Sequence, residues 1–151
     1  MSTRYTPEDI AGATRRLDIA MSRLNVALAR EIGVSVPELL ALEHLSGGSG
    51  LGPSELARRL QLTSGSVTAL VDRLEASGKV VRAPHPSDRR RVVVRRTAQA
   101  AVELNDGVTP LTEEVLALAE GLSEDERAVV GGFLDRFIRI VEQTAEEACA
   151  A

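Results

Sequence analysis

Residues 53–97 constrain the fold more than any other part of the chain, because helix, turn and strand signals follow one another there at short spacing. Pro53 is tolerated in a first helical turn, and the apolar residues after it recur on one face. This pattern predicts a short amphipathic helix over Pro53–Leu60. Gln61 and Leu62 then turn the chain, so the first helix is followed directly by a tight turn.

A second helix is predicted after this turn. Thr63 or Ser64 can cap its start, and Gly78 stands at the position that most often ends a helix. Between them the apolar residues recur three and four positions apart, as on one face of a helix. They are Val67, Leu70, Val71 and Leu74. Two short helices joined by a tight turn predict a helix-turn-helix.

The face opposite this apolar stripe carries small and hydroxyl-bearing side chains, together with one arginine. Its members are Ser64, Gly65, Ser66, Thr68, Ala69 and Arg73. Small residues let a helix enter a major groove closely, and hydroxyl and guanidinium groups can contact base edges and phosphates. Ser and Thr at a helix start are also ordinary caps in proteins that bind no DNA, so this face alone does not decide the function.

Two β-branched runs, residues 80–83 and 92–96, follow the second helix, and residues 84–88 between them are rich in turn formers. They predict a β-hairpin. Its predicted tip holds Asp88, Arg89, Arg90 and Arg91. Exposed guanidinium groups can follow phosphates or enter a narrow minor groove, and Asp88 can hold one of them in a fixed pose; a solvated charge cluster is the alternative. A helix-turn-helix followed by such a hairpin is the arrangement of a winged helix.

Charge is distributed unevenly along the chain, and this distribution favours DNA binding by the winged helix. Residues 54–96 hold ten Lys and Arg against four Asp and Glu, a net charge of +6. Residues 1–53 carry −1 and residues 97–151 carry −9, which together give the net charge of −4 for the 151-residue chain. Nucleic-acid binding depends on the local field rather than on net charge. A basic segment in an acidic protein therefore predicts a nucleic-acid contact at one place.

Further helices are predicted on both sides of this region. Helix caps occur at Thr6, Ser35, Thr97 and Ser123, and each is followed by apolar residues at helical spacing. We expect Pro110 to bend the helix after Thr97 rather than end it. Because aromatic residues make up only 2% of the chain, the core must consist largely of Leu, Val, Ile and Ala.

The apolar stripes of residues 1–34 and 97–151 are wider than one small domain needs, so we expect these segments to form the helices of a homodimer interface. Packing of the stripes within a monomer is the alternative. A two-fold dimer would place its recognition helices about 34 Å apart, on successive major-groove faces of a pseudo-palindrome. The expected architecture is a single domain over residues 1–151, mainly α with a small β-hairpin wing, in which residues 35–96 form the winged helix-turn-helix.

Two motifs resemble the multiple antibiotic resistance regulator (MarR) family of bacterial transcription factors. Residues 66–78 are similar to the family's recognition helix and its closing glycine, and residues 88–97 are similar to its wing. Before the threonine of the wing motif the family usually has a leucine, where this chain has Arg96. The resemblance covers nearly the whole chain and implies that Arg90 enters the minor groove with Asp88 as its orienting partner. It also implies an effector pocket between the dimer helices and the winged helix, often for small aromatic or phenolic anions.

The remaining chemistry-bearing residues favour neither an enzyme nor a metal site. Cys149 is the single cysteine and has no basic neighbour, so we expect it to be inert. His44 and His85 are too few for a convincing metal site, and no phosphate loop or nucleophile elbow occurs. We therefore predict no catalytic residue, no metal and no cofactor. The absence of a long apolar run or signal core favours a protein of the bacterial cytoplasm that contacts no membrane.

These patterns predict a homodimeric, sequence-specific repressor that binds double-stranded DNA and is released by a small molecule. The expected DNA-contacting residues are Ser54, Ser64, Ser66, Thr68, Arg73, Asp88, Arg89, Arg90 and Arg91. Candidate effector-contacting residues, chosen by helical position alone, are Arg16, Met21, His44 and Asn105. The alternative hypothesis keeps the winged helix but uses its basic face to bind a protein partner, with no specific operator.

Overall fold

The computed structural model describes residues 4–150, except for the side chains of Arg89, Cys149 and Ala150, so the expectation for Cys149 lies outside the described residues. In chain order the elements are α1 (Pro7–Glu31), α2 (Val36–His44), a 3-10 turn (Leu45–Gly47), α3 (Pro53–Leu60), α4 (Ser64–Ala76), β1 (Val80–His85), β2 (Asp88–Arg96), α5 (Ala98–Glu120) and α6 (Glu124–Ala150). The predicted fold class, mainly helical with a winged helix-turn-helix, is confirmed by this order.

The long helices begin at the predicted caps. At α1 the Asp9 N–H donates to Thr6 Oγ1 at 3.2 Å, and the Thr6 N–H donates back to Asp9 Oδ2 at 3.0 Å. Ser123 and Glu126 form the same reciprocal pair at the start of α6. Thr97 caps α5 by accepting a backbone N–H through its hydroxyl oxygen. Each cap satisfies backbone donors that have no partner inside their helix.

A residue with positive φ follows each of the two helices of the helix-turn-helix. Gln61 adopts a left-handed φ of 54° at the end of α3. Gly78 has a φ of 72° after α4, and the Lys79 N–H that follows donates to the Leu74 carbonyl at 2.8 Å. This bond belongs to the Schellman arrangement, which favours glycine because a Cβ is strained at positive φ. The predicted stop at residue 78 is therefore confirmed.

The chain forms two compact units, Met1–Leu104 and Asn105–Ala151, and the buried core belongs to the first. Helices α2, α3 and α4 and both strands contribute to this core. The largest fully buried side chains are Leu39, Leu42, Leu56, Val67, Leu70, Val71, Leu74, Val80, Val93 and Val94. All four apolar residues predicted for α4 are among them. Burying a leucine or valine contributes roughly 1.5–3 kcal/mol, so this stripe fixes which face of α4 points outward.

The hairpin is longer than the sequence predicts, because β1 continues to His85 and β2 begins at Asp88. Residues 80–84 of β1 pair antiparallel with residues 92–96 of β2, and the register shifts between Pro84 and His85. β2 begins at Asp88, so the turn consists of residues 86–87 alone. Pro84 pairs with Val92 and His85 with Asp88, so residues 89–91 have no partner in β1 and lie beyond the regular ladder, toward the turn. Proline is tolerated at sheet edges and bulges, so Pro84 does not end β1 as a turn former would.

Leu51, in the loop before α3, forms an isolated antiparallel bridge with Val94 of β2. The Leu51 N–H donates to the Val94 carbonyl at 3.0 Å, and the Val94 N–H donates to the Leu51 carbonyl at 2.8 Å. Val94 itself is fully buried. This bridge ties the loop before α3 to the C-terminal half of β2, so the wing and the helix-turn-helix share one core.

The apolar faces of the long helices remain largely exposed within the chain. In α1, Leu17 is 49% exposed, and only Leu28 and Ala29 are buried. In the second unit, Leu118 of α5 is 73% exposed and Val129 of α6 is 72% exposed. α5 continues through Pro110 to Glu120, so the proline does not end the helix. Within residues 4–150, no helix combines the length and apolar character needed to cross a membrane.

Candidate DNA-binding surface

The N-terminal half of α4 presents a polar, exposed face. Its exposed residues are Ser64, Gly65, Ser66, Thr68 and Ala69. They lie opposite the buried stripe of the same helix, so core packing orients this face toward solvent. The structure therefore brings the predicted major-groove residues of α4 together on one accessible surface.

The hydroxyl groups of this face are ordered by contacts within the helix. Thr63 is the cap, and its Oγ1 accepts the Ser66 N–H at 3.2 Å and lies 2.9 Å from the Ser66 hydroxyl. The Thr68 hydroxyl donates to the Ser64 carbonyl at 2.9 Å. A hydroxyl that has donated its proton keeps its oxygen lone pairs. The Thr68 oxygen is therefore arranged to accept a hydrogen bond. The amino groups of adenine and cytosine are donors of this kind in the major groove.

Arg73 joins the recognition helix to α2. Its Nε donates to Glu38 Oε1 at 2.7 Å. The Arg73 side chain is 61% exposed, whereas that of Glu38 is 10% exposed. The structure thus gives Arg73 a partner that sequence analysis missed, because the two residues lie far apart in the chain.

Glu38 also holds the start of its own helix. Its Oε2 accepts both the backbone N–H and the hydroxyl of Ser35, each at 2.8 Å. Burial acts to raise the pKa of Glu38, but the bonds from Ser35 and Arg73 outweigh it, so the pKa lies below its ordinary value of 4.5. The charged carboxylate therefore connects the cap of α2 to the last turn of α4.

Arg82 joins the recognition helix to the hairpin. Its Nη2 donates to Asp72 Oδ1 at 2.7 Å, its Nη1 pairs with Glu75, and its backbone N–H donates to Glu75 Oε1 at 3.2 Å. These bonds, that to Asp72 first, raise the pKa of Arg82. Sequence analysis missed this cluster. The available signal was the spacing of Asp72 and Glu75, which places both on one helix face.

The start of β2 carries the predicted wing residues. The Arg90 N–H donates to Asp88 Oδ1 at 3.1 Å, so Asp88 holds the backbone of Arg90 rather than its guanidinium. This differs from the expected pairing of the two side chains, because the carboxylate reaches the N–H two residues on. The side chains of Arg90 and Arg91 are exposed. The side chain of Arg89 lies outside the described residues.

The first turn of α3 contributes Ser54, an exposed residue at the second helical position. Glu55 beside it accepts Arg58 Nη2 and Arg59 Nε, each at 2.8 Å. These bonds, those of Arg58 first, lower the pKa of Glu55 to about 2. The two arginines of α3 are thus partly neutralised by a neighbour on their own helix.

Of the nine described basic side chains in residues 54–96, five are engaged in ion pairs, and the other four lie on β2. The basic residues paired with an acid are Arg58, Arg59, Arg73, Lys79 and Arg82. Among the described side chains of residues 54–96, those with no ion pair are Arg90, Arg91, Arg95 and Arg96. The uncompensated positive charge therefore lies along one strand.

Among the candidate effector residues of the first unit, His44 lines a cavity that Arg16 and Met21 do not line. His44 lines a cavity of about 160 Å³ with residues of the loop before α3 and with Arg59. Arg16 and Met21 are exposed residues of α1 and do not line this cavity. Asn105 belongs to the second unit. Within residues 4–150, no cluster of three His, Cys, Asp or Glu side chains is arranged to hold a metal ion.

Comparisons with known proteins identify the family of the chain. Residues 32–91 match the model of the MarR family. The chain is 31% identical over 150 residues to YcgE of Bacillus subtilis, an HTH-type transcriptional regulator, with 97% of each chain covered. It is 30% identical over 77 residues to the HTH-type transcriptional repressor YetL of Bacillus subtilis, covering 51% of this chain and 46% of YetL.

A solved structure shows the same fold. A variant of S. aureus MepR bound to an oligodeoxyribonucleotide superposes with a TM-score of 0.58 at 19% identity, covering 91% of this chain and 99% of that one. The family and the relatives are regulators, which confirms the expectation that the chain is not an enzyme. The near full-length match to YcgE, the family model and the winged helix together show that the chain belongs to the MarR family of transcriptional regulators.

Proposed function

We propose that this protein is a homodimeric repressor of the bacterial cytoplasm that binds a pseudo-palindromic DNA operator and is released from it by a small molecule. The observation that carries the proposal is the combination of an exposed hydroxyl-bearing face on α4 with unpaired arginines on β2. In winged-helix and related folds, the recognition helix enters the major groove and basic groups beside it contact the backbone or the minor groove.

Each predicted contact residue has a role in this proposal. Ser64, Ser66 and Thr68 face base edges or nearby phosphates of the major groove, where their oxygens can accept or donate. Arg73 supports a phosphate contact while its Nε remains bonded to Glu38. Ser54, at the start of α3, is placed to donate to a phosphate.

The wing contributes the electrostatic part of the interface. Arg90 enters the minor groove, where a narrow groove strengthens the negative potential. Arg89 and Arg91 contact phosphates. Asp88 fixes the backbone from which Arg90 projects, through its bond to the Arg90 N–H. This division leaves sequence preference mainly to α4 and much of the affinity to β2.

Dimerisation is supported by the apolar faces that the long helices leave exposed. Large apolar side chains of α1, α5 and α6 stand 38–73% exposed, among them Leu17, Leu118 and Phe133. Exposed apolar helix faces of this kind mark interaction surfaces. A two-fold dimer would also present two copies of α4 to one face of the duplex, as a pseudo-palindromic operator requires.

Repression and release complete the proposal. The relative YetL is named a repressor, and a dimer bound at a promoter blocks access to the DNA. We infer that the effector is a small aromatic or phenolic anion. The candidate contacts remain Arg16, Met21, His44 and Asn105. Of these, His44 lines a cavity of about 160 Å³, so His44 is the first residue to substitute in a test of effector binding.

The proposal is tested by selecting bound fragments from random duplex DNA with the purified protein at two salt concentrations, followed by sequencing. We expect an enriched inverted repeat whose half-sites are centred about 10 bp apart. We also expect the affinity for this repeat to fall with salt at a log–log slope of roughly −0.9 per phosphate contact. Weak binding that vanishes at the higher salt, with no enriched motif, would contradict the proposal and favour a protein partner for the basic face.

A further inference from the structure

A cavity lies in the first unit where the 3-10 turn, the end of β2 and the start of α5 meet. Its volume is about 300 Å³. Its polar lining comes from Ser46, Arg95, Arg96 and Thr97, and Ala98 adds the first turn of α5. None of the described residues that line it is acidic, although the chain carries a net charge of −4. The walls of this cavity are therefore cationic.

Arg95 has an unmet hydrogen-bonding requirement. The residue is half-buried, and its Nε is the one buried side-chain nitrogen or oxygen among the described residues that has no hydrogen-bond partner. A buried donor on a cation is costly until an acceptor reaches the group, and charged groups cost the most. This requirement distinguishes Arg95 from the exposed arginines at the start of β2, which water can solvate.

Packing holds the stem of Arg95 in place. Gly50 in the loop before α3 has a φ of 77°, and a Cβ there would lie 2.7 Å from Arg95 Cγ and 2.8 Å from the Val94 carbonyl oxygen. Only a glycine permits so close an approach. The loop therefore lies directly against the arginine, and its position is set by packing rather than by an ion pair.

Arg96 and α5 add two further positive elements. Arg96 is half-buried and has no ion pair among the described residues. The first N–H groups of α5 have no acceptor inside the helix, and the helix dipole places partial positive charge at this end. The Thr97 hydroxyl is already committed, since it donates to the Gly78 carbonyl at 2.9 Å. Two arginine residues and a helix start thus line one cavity.

We propose that this cavity binds a small oxyanion of the phosphate or carboxylate class. The anion accepts hydrogen bonds from the guanidinium groups of Arg95 and Arg96, whose planar donors match a carboxylate or phosphate. It links β2 and α5 to the 3-10 turn after α2 and so stabilises the first unit. The inference does not rest on the proposed DNA binding, because the site and its ligand are defined without DNA.

The site is distinct from the wing contacts. Arg96 lies six residues along β2 from Arg90, a separation of about 20 Å at the rise of a β-strand. The cavity is therefore at the base of the hairpin, remote from the arginines proposed to follow the groove. A volume of this size suits a small molecule. These observations favour a free anion over a phosphate of the bound duplex.

The test measures thermal unfolding of the full chain in sodium phosphate and in sodium chloride at matched ionic strength. We expect phosphate to raise the Tm of the wild type in a saturable way, as a ligand of the folded state does. Arg96→Gln should weaken the apparent phosphate affinity by about tenfold or more, because it removes a charge-assisted bond. Arg95→Gln should do the same, and Arg96→Gln keeps the test decisive if Arg95→Gln does not fold.

Arg91→Gln is the matched control, since it removes an exposed, unpaired arginine from the same strand and should keep the phosphate response. An equal Tm rise in all variants, or none in the wild type beyond that in chloride, would overturn the proposal.

Titration of duplex DNA distinguishes the source of the anion. Arg96→Gln should bind DNA like the wild type, and a loss of DNA affinity without a phosphate response would make Arg96 a DNA contact. A phosphate response in a protein that selects no DNA motif would support this site and contradict only the proposed operator binding.

Discussion

Helix α4 and the start of β2 flank the same proposed surface, but their charged residues serve different purposes. On α4, Arg73 is bonded to Glu38, and Asp72 and Glu75 are bonded to Arg82 of the hairpin. On β2, the described side chains of residues 90 and 91 are exposed and have no ion pair. The charges of α4 therefore position the helix, whereas those of β2 are available to a ligand.

This difference shows why the net charge of a sequence segment overstates the electrostatic field at its surface. The net charge of +6 over residues 54–96 includes arginines that are paired with acids inside and outside that segment. The comparison predicts that substitutions at the exposed start of β2 change DNA affinity and leave stability intact, while substitutions in the contacts of α4 change stability first.

The largest expected effect is that of Arg90→Ala on DNA binding. We expect a loss of about 1–3 kcal/mol of binding free energy, because one charged groove contact disappears. The free energy of unfolding should not change, since the Arg90 side chain is exposed and unpaired. Fluorescence anisotropy on the selected operator, at physiological salt, gives the affinity, and urea unfolding gives the stability.

Arg4→Ala is the control for this substitution, because it removes the same charge from an exposed residue before α1. It should leave the affinity close to that of the wild type. Unchanged affinity in Arg90→Ala would remove the wing from the mechanism, and an equal loss in both variants would mean that only net charge matters.

Glu38→Gln should lower the free energy of unfolding by about 1–2 kcal/mol. The amide cannot accept from both donors of Ser35 and from Arg73, so a donor near the cap of α2 loses its partner. Urea unfolding measures the loss. Glu43→Gln is the control on the same helix, because the exposed Glu43 side chain has no hydrogen bond or ion pair among the described residues. Equal stability of the two variants would contradict a positioning role for Glu38.

Arg82→Gln should have a smaller effect, about 1 kcal/mol of unfolding free energy, because its pairs with Asp72 and Glu75 are partly exposed. Arg82→Gln should also lower DNA affinity, because the hairpin that carries Arg90 loses a contact with α4. In the double variant with Arg90→Ala, the loss of affinity should then differ from the sum of the two single losses. Additive losses in affinity would show that the hairpin keeps its position without Arg82.

The smallest expected effect is a pH dependence of the Glu38 contact. The pKa of Glu38 in the folded chain lies below 4.5, so the carboxylate contributes stability above that pH and loses it as the pH falls through the folded pKa. The stability difference between wild type and Glu38→Gln should therefore be constant near neutral pH and shrink below about pH 4.5. A difference that grows on acidification would reverse the assigned sign.

Much of the fold follows from local sequence. The caps at Thr6, Thr97 and Ser123 and the stop at Gly78 are found where the sequence predicts, because capping depends on a few neighbouring residues. The buried stripe of α4 was also predicted, since helical periodicity alone places its members on one face.

The site was predicted less completely. The exposed hydroxyl face of α4 was expected from periodicity, but the partners of Arg73 and Arg82 were not, because they come from other elements. The strand bounds near Asp88 were also missed, since cross-strand pairing overrides the turn-forming tendency of the residues around Pro84. The bond from Asp88 to a backbone N–H depends on the turn geometry that this pairing creates.

The sequence by itself determined the order of helices and strands, their caps, the amphipathic stripes and the basic segment, because each depends on neighbouring residues or on simple periodicity. Only the tertiary structure decided which stripes are covered. The stripe of α4 is buried, whereas Val129 of α6 remains 72% exposed, although both follow helical spacing. Tertiary structure also decided which arginines are paired, since an ion pair requires a partner within a few ångströms and sequence distance does not set that distance.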